Sequence, residues 1–275
     1  MEIWQADFYR RPLQDDTGQP LWELLVCDPT RTLEWTVFCP QSLATAEWLV
    51  AQLQSLPSLP DVIQVFRPQS LGLITTAAKS LGVRVEATRR TPALKQWLQE
   101  RISDYRQLAN YTQELYEPIR LEKPPPLPLP EDLWGERWRF AAVGAGDLIT
   151  AFQDRPIPVL DIPDFLLPLN LGLASTTLVP GVIIDGGRQS LKLARWLQQT
   201  QPVAIHYLAG EPDGLILEGG LVDRWVIATF EDPEVKRAAK LYQQRQQLSQ
   251  GLHFLLVQPD DSGMTYTGFW LLQTE

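Results

Sequence analysis

The stretch Ile3-Trp4-Gln5-Ala6-Asp7-Phe8-Tyr9-Arg10-Arg11 opens the pattern that decides the fold. Its β-branched and aromatic residues predict a strand, and residues 21–28 and 33–39 predict two more strands joined to it by turns. The elements predicted after them alternate: residues 42–56 (helix), 62–66 (strand), 70–81 (helix), 83–87 (strand) and a long helix that begins at Thr91-Pro92. Three antiparallel strands followed by alternating helices and strands is the order of a ribonuclease-H-like α/β layer.

The second half of the chain repeats short words of the first half in the same order. Residues 41–49, Gln-Ser-Leu-Ala-Thr-Ala-Glu-Trp-Leu, match residues 189–197, Gln-Ser-Leu-Lys-Leu-Ala-Arg-Trp-Leu. Further matches follow: 62–66 with 203–207, 72–74 with 214–216, and Pro92 with Pro233. This common order predicts two tandem, duplicated ribonuclease-H-like domains.

The second copy is predicted to have strands over residues 138–143, 148–152 and 182–184. An insertion rich in Pro and Leu, residues 155–180, separates the last two of these strands. The match between residues 72–74 and 214–216, which we call the echo, predicts a short helix over residues 214–221. Their composition also allows a hairpin strand.

Residues 121–130 contain five prolines in ten positions. Such a run predicts an extended, semi-rigid linker between an N-terminal α/β domain, residues 1–120, and a C-terminal α/β domain, residues 131–275. Recognition of the run by a proline-binding module is the alternative.

Residues 251–273 read as strand, turn and strand, with Pro-Asp-Asp-Ser-Gly as the hairpin loop. We expect this hairpin to be appended to the second domain, because the first copy has no counterpart. Its final strand carries a cluster of large apolar residues: Phe269, Trp270, Leu271 and Leu272. We interpret the cluster as a candidate partner-docking surface, with packing of a last strand as the alternative.

Composition narrows the classes of function. The chain has 275 residues, 44% of them hydrophobic, and a net charge of −9. Its only cysteines are Cys27 and Cys39, and neither histidine has ligand-like spacing to them, so we expect no disulfide, metal or cofactor. No apolar run is long enough to span a membrane and no signal peptide is recognisable, so we expect a cytoplasmic protein.

Neither half of the chain contains the complete set of acidic residues that metal-dependent nuclease chemistry requires. On this fold, acidic residues would be needed in the first strand, in the first helix and after the fourth strand. The first half offers Asp7 and Glu47 but has Arg67 after its fourth strand, and the second half offers Asp185 and Glu211. We therefore expect no catalytic residues.

Basic residues are concentrated in the first half. Residues 1–120 carry 12 Lys and Arg against 14 Asp and Glu, net −2, whereas residues 131–275 carry 11 against 18, net −7. Candidate RNA phosphate contacts are Arg10, Arg11, Arg84, Arg89, Arg90 and Lys95. Trp4 and Tyr9 are candidates for base stacking, since single-stranded RNA is bound by charge and exposed ring faces together. The alternative from these residues alone is a solvated helix face with buried aromatic residues.

Both chain ends resemble the Tab-two-like (Atab-two) family of RNA-binding proteins of cyanobacteria and chloroplasts. The resemblance is carried by Trp-Gln-Ala-Asp-Phe-Tyr-Arg-Arg-Pro at residues 4–12 and by Trp-Leu-Leu at residues 270–272. It implies binding of single-stranded, A/U-rich leader sequence of a photosystem mRNA and assistance in its translation. The alternatives are a protein-interaction scaffold that docks an assembly factor or the translation machinery and, third, a metal-dependent nuclease.

Overall fold

The computed structural model describes residues 1–152 and 155–274. The chain divides into two compact units, residues 1–122 and residues 123–275. The elements of the first unit are β1 (Ile3–Gln14), β2 (Pro20–Cys27), β3 (Glu34–Pro40), α1 (Ala46–Gln54), β4 (Val62–Val65), α2 (Pro68–Ser80), β5 (Arg84–Ala87) and α3 (Pro92–Gln107).

One five-stranded sheet forms the centre of the first unit, in the order β3-β2-β1-β4-β5. Strand β2 runs antiparallel to both its neighbours, whereas β4 is parallel to β1 and to β5. This order and these directions agree with the ribonuclease-H-like layer predicted from the sequence. The carboxyl ends of β1, β4 and β5 consequently lie at the same edge of the sheet.

The two faces of β1 have different chemistry because successive side chains point to opposite faces of a strand. Trp4, Ala6 and Phe8 belong to the apolar cluster packed beneath α1 and α2. The other face carries Asp7 and Arg11, which are also buried. A polar cluster is therefore enclosed on the second face of the sheet, where α3 packs.

The second unit contains two sheets and three helices among its described residues. Its elements are β6 (Leu127–Pro128), β7 (Arg137–Gly144), α4 (Ala145–Leu148), β8 (Val159–Asp161), β9 (Leu178–Asp185), α5 (Ser190–Thr200), β10 (Pro202–Leu208), β11 (Asp213–Gly219), β12 (Asp223–Phe230), α6 (Pro233–Leu248), β13 (Leu252–Gln258) and β14 (Gly268–Gln273). The sheet orders are β10-β11-β12-β6 and β7-β9-β13-β14-β8.

These sheets do not repeat the first unit, so the predicted duplication is not confirmed. The echo pairs residues 72–74, which lie in α2, with residues 214–216, which lie in β11. Most of residues 214–221 therefore form a strand and not a helix. The strand predicted over 148–152 is wrong: α4 ends at Leu148 and turns follow, and an apolar run this short does not distinguish helix from strand.

The predicted C-terminal hairpin forms, but it is not an appendage. Strands β13 and β14 pair in antiparallel fashion, and β13 also pairs with β9 while β14 pairs with β8. The hairpin thus occupies the interior of a sheet. Its cluster Phe269, Trp270, Leu271 and Leu272 is at most 1% exposed. These side chains present no surface to a partner. They pack as part of the last strand, and the interpretation as a docking surface is wrong.

The proline-rich run also belongs partly to the second unit. Leu127 and Pro128 form β6 beside β12, and Leu129 is buried. A free spacer over 121–130 is therefore not what the structure shows. Across the described residues, none of the helices has the length and apolar character that crossing a membrane requires.

Candidate nucleic-acid interface

The carboxyl edge of the first sheet gathers basic residues from three strands. Strand β1 continues past the end of β4 and carries Arg10, which is exposed. Arg67 is the second residue after β4, and Arg89 and Arg90 are the second and third residues after β5. Edges formed by the carboxyl ends of parallel strands are where α/β proteins commonly bind ligands.

A buried ion-pair network lies behind this edge, centred on Asp7. Arg67 donates from Nε to Asp7 Oδ1 at 2.9 Å, and Arg11 donates from Nη1 and Nη2 to Asp7 Oδ2 at 3.0 Å. Ser70 Oγ donates to Asp7 Oδ1 at 3.0 Å. Arg11 also donates from Nε to Glu23 Oε2 at 2.9 Å, so it bridges the two buried carboxylates.

This network fixes the charge of Asp7. Burial alone would raise the pKa of the carboxyl, but Arg67 and Arg11 outweigh it and hold the pKa of Asp7 below its usual value. Burial would likewise lower the pKa of Arg11, yet Tyr116, Asp7 and other neighbours raise it well above the ordinary value. Asp7 is therefore an ionised structural carboxylate whose oxygens are already bound by guanidinium groups.

A chain of cation–ring contacts connects the basic residues along the edge. The Arg67 guanidinium carbon lies 4.4 Å from the Tyr9 ring centroid and 4.9 Å from that of Phe66. Lys95 Nζ lies 5.3 Å from the Phe66 ring centroid and donates to the Arg89 carbonyl at 2.6 Å. Because Phe66 is fully buried, it fixes the positions of the cations on either side of it.

The structure separates the predicted RNA residues into three groups. Arg10 is exposed, and Arg90 and Lys95 are half-buried at the same edge. Arg11 and Arg89 also lie there, but they are only 3% and 4% exposed. Their charge contributes to the local field, whereas direct contact of these two side chains with a phosphate is not available in this conformation.

Arg84 and Trp4 lie elsewhere. Arg84 begins β5 opposite Val62, so it is at the amino edge of the sheet. Trp4 is 1% exposed within the apolar cluster and donates from Nε1 to Glu2 Oε1 at 3.1 Å. Base stacking on Trp4 is therefore wrong as a prediction. Tyr9 is half-buried, with Arg67 over its ring and Trp22 in an edge contact at 5.9 Å between ring centroids. Base stacking on Tyr9 stays a prediction.

A polar cleft of about 400 Å³ opens beside Arg10. Tyr9, Gln69 and Arg120 also line it, and Arg11 and Arg67 contribute to its wall. Three glutamates lie on the lining as well: Glu114, Glu117 and Glu122. Glu117 is paired with Arg120 at the surface. The cleft is thus of mixed charge.

The carboxylates considered for nuclease chemistry do not converge. Phe8 stacks on Trp48 of α1 with ring centroids 5.4 Å apart, which places α1 on the face of the sheet opposite Asp7. Glu47 therefore does not approach Asp7. In the second unit Asp185 accepts from Arg139 at 2.7 Å and from Gln258 at 2.8 Å. Among the described residues, no group of three acidic, histidine or cysteine side chains is placed to hold a metal ion.

Sequence reasoning did not select Arg67, Gln69 or Arg120 as site residues. Arg67 had a signal: it directly follows a buried strand at the position where the nuclease pattern requires an acid. No sequence signal indicated Arg120, because its position at the cleft depends on how residues 108–122 pack against β1.

A mixed α/β sheet with basic and aromatic side chains at one edge is typical of proteins that bind nucleic acid. The chain belongs to the Tab2/Atab2 family of RNA-binding proteins: the domain described as "RNA-binding protein Tab2/Atab2 N terminal" matches residues 3–101, and "RNA-binding protein Tab2/Atab2, C-terminal domain" matches residues 116–273. This confirms the family identified from the two chain ends.

Two relatives span nearly the whole chain. The chloroplastic TAB2 homolog of Arabidopsis thaliana is 31% identical over 280 residues, covering 98% of this chain and 74% of the relative. The chloroplastic TAB2 homolog of Zea mays is 30% identical over 279 residues, covering 98% and 70%. Their names place those two proteins in the chloroplast, and the cytoplasmic location expected for this chain stays a prediction.

Likeness to solved structures is weak. The HTLV-2 integrase catalytic core domain in complex with magnesium (dimeric form) has a TM-score of 0.26 and 17% identity, covering 40% of this chain and 77% of that chain. Its trimeric form has a TM-score of 0.24 and 18% identity, covering 38% and 74%. Similarity at this level says nothing about chemistry.

Proposed function

We propose that this protein binds single-stranded, A/U-rich RNA through the carboxyl edge of its first sheet. The RNA is the leader of a photosystem mRNA, and binding assists its translation without any catalytic step. The observation that carries the proposal is the meeting of Arg10, Arg90 and Lys95 at one edge, beside Tyr9. Membership of an RNA-binding family supports the same assignment.

Local charge makes this edge suitable for RNA in an acidic protein. Lys and Arg side chains that contact phosphates release bound counterions, so affinity depends steeply on salt. Arg10 has no carboxylate within ion-pair distance among the described residues, so binding a phosphate would not require breaking an ion pair of its own. Arg11 and Arg67, buried behind the edge, neutralise Asp7 and keep its negative charge from repelling the RNA backbone.

The ion pairs of Asp7 support the non-catalytic part of the proposal. A ribonuclease-H-like nuclease would bring several carboxylates to one or two divalent ions. Here two guanidinium groups surround Asp7, Glu23 is itself paired with Arg11, and Arg67 stands where another acid would be required. Cations already bound by the protein would repel a divalent ion from this position.

RNA binding is tested with a charge-matched pair of variants. The variant Arg10→Ala/Arg90→Ala loses two positive charges at the carboxyl edge, and Lys79→Ala/Arg84→Ala loses two exposed positive charges elsewhere on the same unit. We expect the first variant alone to weaken binding of a U-rich 20-nucleotide RNA. The slope of log affinity against log salt should fall by about 1.4, because each lost phosphate contact on a single strand removes about 0.7.

Two results would contradict the proposal. Equal effects of the two variants in gel-shift titrations would remove the carboxyl edge as the RNA site. Cleavage of the RNA after prolonged incubation of the wild-type protein with Mg²⁺ or Mn²⁺ would overturn its non-catalytic part. Preference for the A/U-rich sequence is checked against a C-rich RNA of the same length, which should bind more weakly.

A further inference from the structure

The second unit contains a largely apolar groove of about 410 Å³ that the RNA proposal does not use. Leu133, Ile184 and Leu193 form its buried floor. Trp134 and Arg137 stand at its rim, and one side is formed by residues 226–229 of β12. A concave apolar surface with a few polar groups at its rim is the usual form of a binding site.

One wall of the groove is an open sheet edge. Strand β6 pairs with β12 only at Trp225 and Val226, where the Leu129 N–H donates to the Val226 carbonyl at 3.2 Å. The chain then leaves the edge, whereas β12 continues to Phe230. Among the described residues no strand lies beside 227–229 on this side. Its main-chain groups can therefore accept an additional strand.

Trp134 provides a fixed aromatic surface beside that edge. Its side chain is 59% exposed, yet its Nε1 donates to the Leu129 carbonyl at 2.9 Å. A hydrogen-bonded indole loses little conformational freedom when a partner covers it, and tryptophans of this kind often dominate the energy of interfaces. The buried floor next to it is aliphatic, and Trp138 is a second aromatic residue on the lining. This apolar surface suits a large apolar side chain.

Charge decides between a protein and a nucleic acid as occupant. Arg137 is the only charged residue on the groove lining among the residues that the structure describes, while residues 131–275 carry a net charge of −7. An RNA backbone would approach this unit against its overall field. A peptide with one acidic side chain would meet Arg137 at the rim without that penalty.

We propose that the groove binds an extended peptide segment of a partner protein, added as a strand to the open edge of β12. One large apolar side chain of the peptide enters the floor beside Leu133 and Leu193, against the Trp134 ring. An acidic side chain of the peptide pairs with Arg137. This site is separate in sequence from the RNA-binding edge and does not depend on the proposed RNA function.

The test selects peptides from a displayed library of random twelve-residue sequences, panned on the full chain and counter-selected on the Trp134→Ala variant. We expect enrichment of sequences with alternating large apolar residues and an Asp or Glu. Synthetic versions should bind at least tenfold more weakly to Trp134→Ala and to Arg137→Glu. The matched controls Leu248→Ala and Lys240→Glu change exposed residues outside the groove and should bind as the wild type does.

A charge exchange separates a specific contact from damage to the fold. Replacing the acidic residue of a selected peptide with Lys should restore binding to Arg137→Glu and abolish it for the wild type. Failure to enrich any peptide over the counter-selection overturns the proposal. The proposal is also overturned if Trp134→Ala loses as much RNA affinity as Arg10→Ala/Arg90→Ala, because the groove would then bind a nucleobase. A doubled mass in light scattering that Trp134→Ala reverses would overturn it as well, because the occupant would then be a second copy of this chain.

Discussion

Arg67 Nε lies 2.9 Å from Asp7 Oδ1, with the carboxylate fully buried and the guanidinium nearly so. The same guanidinium donates to the Pro118 carbonyl and lies over the Tyr9 ring. One side chain therefore joins the centre of the sheet, the segment after α3 and the aromatic residue at the carboxyl edge of the sheet. The position that would need an acid in a nuclease is used here for structural organisation.

Replacing Arg67 should destabilise the first unit strongly. We expect Arg67→Met to lower its free energy of unfolding by about 3–5 kcal/mol, because Asp7 would lose one of its two buried cations. Urea denaturation of the full chain measures the effect, and Lys79→Met, at an exposed position, should change it by less than about 0.5 kcal/mol. In Asp7→Asn/Arg67→Met the two costs should not add, and simple additivity would contradict an energetic coupling between the pair.

Stability of the second unit should fall in mild acid because of His253. Its Nε2 accepts the Ile205 N–H at 2.8 Å and its Nδ1 donates to the Gly251 carbonyl at 2.8 Å, so the buried ring is neutral. Burial lowers the pKa of His253 to about 3. Between that value and the ordinary pKa near 6.5, only the unfolded state binds the proton, so the stability contributed by His253 is present above about pH 6.5 and is lost as pH falls.

The expected loss is about 1.4 kcal/mol per pH unit in that window. Urea midpoints of the second unit at pH 7, 6 and 5 measure it. His253→Gln should be less stable at pH 7 but less sensitive to pH. An unchanged slope in His253→Gln would show that other groups cause it.

Two glycines should respond to alanine in opposite directions. A Cβ at Gly181 would lie 2.3 Å from ring atoms of Phe254, so Gly181→Ala should cost about 1–3 kcal/mol through overpacking. A Cβ at Gly72, within α2, would meet nothing within 4 Å, so Gly72→Ala should stabilise by about 0.5–1 kcal/mol. Thermal unfolding followed by circular dichroism compares them, and equal shifts would contradict this account.

The two tryptophans Trp270 and Trp134 should differ in the same measurement. Trp270→Ala removes a fully buried ring and should cost about 3–5 kcal/mol. Trp134→Ala removes an exposed ring and should cost about 1 kcal/mol or less. If Trp270→Ala were nearly neutral, the terminal cluster would be a surface feature after all.

Much of the first unit could be predicted because local patterns and tertiary packing agree there. Thr45 accepts the Trp48 N–H at the start of α1, and Pro68 and Pro92 stand in the first turns of α2 and α3, as start signals of helices do. The predicted start of the first helix was early, since residues 41–43 form a separate short 3-10 turn before α1.

The candidate site was harder to predict because both faces of β1 are covered. Arg11 and Trp4 have the composition of exposed binding residues, yet α3 and residues 108–122 enclose one face and α1 and α2 the other. Burial of a charged residue depends on partners distant in sequence, such as Glu23 and Tyr116 for Arg11, and no local period reveals them. The duplication inferred from matching words in the two halves is not confirmed, since such short words do not determine whether residues 214–216 form helix or strand.

The interior position of β14 has a consequence for synthesis of the protein. Residues 268–273 lie between β13 and β8, so the second unit lacks a central strand until those residues have left the ribosomal exit tunnel. The first unit is complete at residue 122 and can fold while the rest is still being translated. A nascent chain would thus present the carboxyl edge of the first sheet before the groove beside Trp134 has a finished scaffold, and a premature stop would release the first without the second.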